Sequence, residues 1–208
     1  MTVTGISSAR DRRGRYKVEL SDGTVLKLPP AVIADLGLYT GRELDEAEFQ
    51  QVREAERKAD TKQRAVNIIS VTAVSGRELS DRLRRKGASE EDAAEAVQWL
   101  EELHLVDDER TARQIVDRGV RRGYGERRIR QMLFEKKIPR DLWDGALEAV
   151  PPPEEAIDNY LHANLPAVLD RAERKRLSDA LARRGFDWSD ISAGLRRACA
   201  EAEALEEE

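Results

Sequence analysis

Of 208 residues only one is cysteine, Cys199, two are histidine, His104 and His162, and 5% are aromatic. One cysteine excludes an internal disulfide and fits a reducing compartment. The histidines stand far apart and neither has a cysteine at metal-ligand spacing, so no metal and no cofactor is expected. Cys199 has no identifiable base, and nothing else in the chain assembles a nucleophile; a non-catalytic protein is expected. Long apolar runs are also missing. The most apolar stretch, Ala65 to Val74, is broken by Asn67, Ser70 and Thr72, far short of a membrane span. The opening MTVTGISSARDRRGR lacks the apolar core of a secretion signal. A cytoplasmic monomer without membrane contact is the expectation.

What the chain has in quantity is charge. Charged residues make up 37% and hydrophobic ones 40%, values that suit a helical protein with much surface and a thin core. The net charge of −5 conceals an uneven distribution. From Ala88 to Glu109 there are nine acids and no Lys or Arg; from Arg110 to Arg140 eleven Arg or Lys stand against Asp117, Glu126 and Glu135. A basic module inside an acidic chain points to an anionic partner or an acidic protein surface.

The beginning reads as β. Val3 to Ile6 is a short apolar segment, and Arg15 to Leu20 and Thr24 to Leu28 alternate with period two around Ser21-Asp22-Gly23, a hairpin signal. A lone hairpin is marginal in water, so a third strand or a helix must cover it. Pro29-Pro30 ends the strand, and Ala31 to Leu36 gives one or two helical turns before Gly37. From Asp45, an N-cap followed by Glu46 and Glu48, a charged connecting helix with a thin stripe of Phe49, Val52, Ala55 and Ala59 is expected.

The remainder repeats. Leu79, Ile129 and Leu177 share one column; Leu83, Leu133 and Leu181 a second; Gly87, Lys137 and Gly185 a third. Ala88, Ile138 and Phe186 follow, and Val97, Leu147 and Leu195 continue the set, each preceded by a small residue, Ala96, Ala146 or Gly194. Offsets of 50 and 48 residues, with apolar positions at i and i+4 and a turn between helical runs, mark a helical repeat whose units must stack to bury their faces. In the first unit, helices are expected over Arg64 to Thr72, Ser75 to Lys86 and from Ser89 onward, burying Ala65, Ile68, Ile69, Ala93, Ala96, Val97 and Leu100. Ser75 with Glu78 reads as a capping box. Lys137 stands where its counterparts are glycine, at about 1 kcal/mol if the left-handed backbone is kept. Trp99, Trp143 and Trp188 are expected in the core or between repeats. Gly123-Tyr124-Gly125 reads as a tight turn, because no strand precedes it and no Gly-Lys-Ser/Thr follows. Asp107-Asp108-Glu109 reads as a helix start rather than a cation site.

Four motifs then carry a resemblance. Ala65-Val66-Asn67-Ile68-Ile69-Ser70, Ser75-x-x-Glu78-Leu79-x3-Leu83-x2-Lys86-Gly87, Leu105-Val106-Asp107-Asp108-Glu109-Arg110-x-Ala112 and Arg122-Gly123-Tyr124-Gly125-x2-Arg128-Ile129 are in order and spacing similar to the RecX family, bacterial modulators of the RecA recombinase. The resemblance covers about 61 to 200. It implies three tandem three-helix units in a curved array, docking in the groove of the RecA–DNA filament, and suppression of ATP hydrolysis and strand exchange. This chain departs from the family at Thr111, where an aromatic residue is usual, at Lys136-Lys137 in place of Lys-Gly, and at Ala73-Val74, where bases often stand.

The expected fold is therefore mainly α: a β-containing domain (1–44), a connecting helix (45–60), repeats at 61–107 and 108–150, a proline linker (151–153), a third repeat (154–200) and an acidic tail (201–208). The expected partner is the RecA filament, with single- or double-stranded DNA as a second candidate. The expected contact residues are Arg118, Arg121, Arg122, Arg127, Arg128, Arg130, Lys136, Lys137, Arg140, Arg174, Lys175, Arg176, Arg183 and Arg184. Arginine's planar fork suits phosphate and carboxylate alike, so a free-standing, sequence-nonspecific DNA-binding protein stays as the alternative.

Overall fold

The structure, a computed structural model, describes residues 1–8, 10–11, 14–166 and 169–206, with side chains up to residue 200. Backbone contacts divide it into two units, one of Met1–Ala73 with Leu79–Val106 and one of Val74–Glu78 with Asp107–Glu208.

The first unit opens on an antiparallel sheet of β1 (Val3–Ile6), β2 (Tyr16–Leu20) and β3 (Val25–Leu28) in the order β1-β2-β3. Val18 pairs with Leu26 and Tyr16 with Leu28. The alternation sends Val18, Leu20, Leu26 and Leu28 to one buried face together with Val3. Both covers demanded by the hairpin are present: β1 is the third strand, and Phe49 and Val52 pack on the same core. After α1 (Pro30–Asp35) the chain enters α2 (Glu46–Ile69), started by a full capping box between Asp45 and Glu48.

The connecting helix and the first helix of the first repeat, expected as two, are this one helix. No glycine, proline or cap interrupts the sequence between them, and Thr61 Oγ1 donates to the Arg57 carbonyl at 2.9 Å, a bond a helix interior accommodates. α3 (Gly76–Arg85) and α4 (Glu90–Glu102) complete the repeat. Ala65, Leu79, Leu83, Ala93, Ala96 and Leu100 are fully buried; Ile68, Ile69 and Val97 are only half-buried. Each fully buried leucine contributes roughly 1.5–3 kcal/mol relative to exposure. The acids of α4 are answered by α2: Asp92 takes Arg57 Nε at 2.6 Å, and Glu95 takes Lys58 and Lys62, each at 2.9 Å.

The second unit holds the next two repeats. α5 (Asp108–Arg121), α6 (Glu126–Glu135), a 3-10 turn (Arg140–Leu142) and α7 (Trp143–Leu147) surround Ala112, Ile115, Val116, Ile129, Leu133, Ile138, Ala146 and Leu147. α8 (Pro153–Asn164), α9 (Arg171–Arg183) and α10 (Trp188–Glu206) surround Ile157, Leu161, Leu177, Leu181, Phe186, Ile191 and Leu195. Pro153 is already the first residue of α8, the position where its missing N–H costs nothing. The backbone of α10 continues to Glu206, across most of the expected acidic tail, whose last two residues lie outside the described chain. Trp143 is half-buried and donates Nε1 to the Ile138 carbonyl at 3.0 Å, whereas Trp188, expected to be packed, is 69% exposed. It precedes Ile191 by three residues, but Phe186 already fills the space at the head of α10.

Equivalent positions meet from repeat to repeat. Ser75 Oγ accepts the Glu78 N–H at 3.1 Å and donates to the Lys136 carbonyl at 2.7 Å. Fifty residues on, the Gly125 N–H donates to the Arg184 carbonyl at 2.9 Å. In both cases the start of one middle helix touches the last turn of the next. A Cβ on Gly125 would fall 2.5 Å from the Gly185 oxygen, and one on Gly185 2.3 Å from the Arg128 nitrogen, so only glycine fits either site. Lys137, the counterpart of Gly185, keeps the left-handed backbone at φ 56°.

Candidate binding surface

α6 is oriented by Ile129 and Leu133, both fully buried. Residues two positions from each therefore point outward, and Arg127 and Gln131 are exposed. Arg128 and Arg130 flank the outward face and are half-buried. Arg130 pairs with Glu126 at 2.7 Å and Asp144 at 3.8 Å, and Arg128 with Glu135 at 3.6 Å. Lys136 reaches Glu78 at 3.5 Å. Lys137 and Arg140 are exposed, and the Arg140 guanidinium stands 5.6 Å from the Trp143 ring centre.

Arg118 and Arg121 lie in the last turn of α5, where positive charge complements the helix dipole, and Arg122 caps it. Together with Arg127 they are exposed and make no ion pair among the described residues. On α9, Arg174, Lys175, Arg176 and Arg183 are exposed. Lys175 is occupied by Asp179 at 2.6 Å, a hydrogen bond that holds the Asp179 carboxyl below its ordinary range, and Arg176 by Glu173 at 2.6 Å. Arg174 Nη2 lies 3.4 Å from Cys199 Sγ. Arg184 turns inward: its Nη1 donates to the Arg122 carbonyl at 3.0 Å, and its guanidinium stacks 4.6 Å from the Tyr160 centre.

The structure thus brings the α5–α6 turn against the α9–α10 turn. Arg184 fastens them, while Arg121, Arg122, Arg127 and Arg183 make no ion pair among the described residues. A groove of about 530 Å3 opens beside it, with Arg127, Arg130, Tyr124, Pro152, Phe186 and Asp190 among its walls. Tyr124 packs against the second repeat's core. Asp107 caps α5 by accepting the Arg110 N–H at 2.8 Å. Asp108 accepts the Gly76 N–H at 2.8 Å, and its partial burial raises its pKa.

Two features escape a reading by charge alone. Arg130 stands four residues after Glu126, a spacing that could have announced the pair. Phe134, one position beyond the Leu133 column, is 64% exposed in the middle of the basic module.

The comparisons with known proteins agree with this architecture. The family model for the second three-helix domain of RecX matches residues 107–147, the α5–α7 repeat. A regulatory protein RecX from Chlorobaculum tepidum is 32% identical over 139 residues, 65% of this chain and 86% of that protein. The chain belongs to the RecX family. A second member, from Caldanaerobacter subterraneus subsp. tengcongensis, is 24% identical over 195 residues, spanning 94% of this chain and 98% of its own. A crystal structure of a regulatory protein RecX superposes with a TM-score of 0.74 at 22% identity, covering 94% and 98% of the two chains, and shares the mainly helical fold with its small N-terminal sheet. These relatives are named as regulatory proteins, not enzymes. Among the described residues no helix is long and apolar enough to cross a membrane.

Proposed function

We propose that this protein is a non-catalytic, cytoplasmic regulator that binds the RecA–DNA filament as a monomer and inhibits RecA's ATP hydrolysis and strand exchange. The family supports regulation, and the four-motif resemblance supports RecA as its object. One observation carries the choice of surface: Arg118, Arg121, Arg122 and Arg127 are exposed, without acid partners among the described residues, on a backbone fixed by buried apolar columns. The backbone beneath such a surface is preorganised, so little loop ordering is lost on docking.

The fourteen basic positions divide by role in this reading. Arg118, Arg121, Arg122, Arg127, Lys137, Arg140 and Arg183 face the partner. Arg128, Arg130, Lys136, Lys175 and Arg176 contribute through charges already shared with neighbouring acids, and Arg174 lies at their edge. Arg184 holds the second and third repeats in register. Contacts from two repeats to neighbouring RecA subunits would hinder the subunit rearrangement that accompanies ATP turnover.

The test is single-stranded-DNA-dependent ATP hydrolysis by the cognate RecA with increasing amounts of the protein. Turnover should fall to a low plateau while the protein alone hydrolyses no ATP. Unchanged RecA turnover at saturation would remove the proposal. Naked DNA bound as tightly as the filament at physiological salt, with a steep salt dependence, would instead favour the free-standing DNA-binding alternative.

A further inference from the structure

Resting on that reading, we infer that Phe134 is an apolar anchor of the docking surface, inserted into a pocket of an acidic protein partner rather than stacked on a nucleic-acid base. The helix geometry sets the stage. With Ile129 and Leu133 directed inward, Arg127, Gln131 and Phe134 share the outward face of α6. Phe134 is 64% exposed, on a helix whose other large apolar residues are buried or half-buried. Among the described residues it is not one of those packed on the second repeat's core.

Its surroundings choose the partner's chemistry. A phosphate track would favour uninterrupted positive charge, yet Glu126, Glu135 and Asp144 stand among the arginines, pairing with Arg130 and Arg128. Asp144 is 90% exposed and would repel a phosphodiester chain laid across this face. A ring surrounded by mixed charge with positive excess is instead the composition of a protein contact. There an aromatic anchor fills a pocket while the charged rim fixes register and excludes water. The unpaired Arg127 beside it selects an acidic rim on the other side.

Lys137 adds an independent mark. It is held at φ 56°, a backbone its counterparts Gly87 and Gly185 adopt as glycine at φ 90° and 92°. A lysine at this strained backbone position, two residues past the end of α6, places an exposed cationic residue where glycine would suffice for the fold.

The experiment compares the full chain with Phe134→Ala and Arg127→Glu, measuring affinity for RecA filaments on single-stranded DNA and for the same DNA naked, with thermal melting as control. Phe134→Ala should weaken filament binding about tenfold or more, as loss of an interface anchor does. It should leave melting and naked-DNA affinity as in the parent. Arg127→Glu should weaken filament binding and also lower its salt sensitivity. A parental filament affinity for Phe134→Ala, with Arg127→Glu impaired, would overturn the anchor while keeping the surface. A parallel loss on naked DNA would show base stacking and overturn the choice of partner. If neither variant loses affinity while the parent binds the filament, the docking surface lies elsewhere and this inference is wrong; if the parent itself ignores the filament, the proposed function fails with it.

Discussion

The acidic stretch of the first repeat and the basic stretch of the second have the same three-helix plan and opposite charge, but the decisive difference is pairing. In the first repeat, Asp92 and Glu95 of α4 are met by Arg57, Lys58 and Lys62 of α2. In the second, Arg118, Arg121, Arg122 and Arg127 meet no acid among the described residues. Asp92 and Glu95, within the acidic stretch, thus have their charge used within the fold. The arginines that remain unpaired are the ones with charge left for a partner.

The comparison breaks first at the scaffold. Leu83→Ala and Leu133→Ala remove equivalent, fully buried side chains and should each cost about 2–5 kcal/mol, measured by chemical denaturation. Similar losses would show that both repeats rest on the same columns whatever their charge. A loss in only one would show that charge, not packing, supports the other.

Next comes the pair with a buried partner. The Asp92 side chain has no exposure, while Arg57 is 56% exposed. Asp92→Ala should lower stability by about 1–3 kcal/mol, since a charged hydrogen bond is lost and Arg57 can return to water. RecA inhibition should be unaffected, because this pair lies in the first repeat's fold and not on the proposed docking face.

A smaller effect follows from Glu95. Hydrogen bonds from Lys58 and then Lys62 hold its carboxyl below the ordinary range. A lowered folded-state pKa gives stability that is present above the unfolded value, near 4.5, and lost as pH falls through the folded one. Both sides of the cluster are well hydrated, so solvent screening keeps the effect small. Glu95→Gln should flatten the acid limb of the stability profile, read from melting between pH 6 and about 3. The same substitution at Glu126, which pairs with Arg130 of the proposed docking face, should change filament affinity more than acid stability.

Much of the fold was legible because its signals are local or periodic. The Asp22-Gly23 turn, the Asp45 cap, and the leucine columns each specify an element without reference to distant chain. The single helix across 46–69 was not, because Arg64 begins a new apolar pattern without a break in helix propensity. Trp188 misled because an aromatic near a helix start suggests burial, yet Phe186 occupies the core position two residues earlier. Composition marks the basic module as a segment, but it could not separate Arg184, which is bonded to the Arg122 carbonyl, from Arg183, which makes no ion pair among the described residues. That distinction depends on how the third repeat stacks on the second, a contact between residues about 60 apart.

The central claim is that unpaired arginines on the second repeat hold RecA. Its most direct test is the inhibition constant for single-stranded-DNA-dependent RecA ATPase, measured with Arg121, Arg122 and Arg127 all changed to Gln. Glutamine is a good helix former, and exposed positions tolerate it, so melting should shift by about 1 kcal/mol or less. Inhibition should weaken at least about tenfold, equivalent to losing 1.4 kcal/mol of binding. Inhibition at parental strength by a normally folded triple variant would contradict the claim.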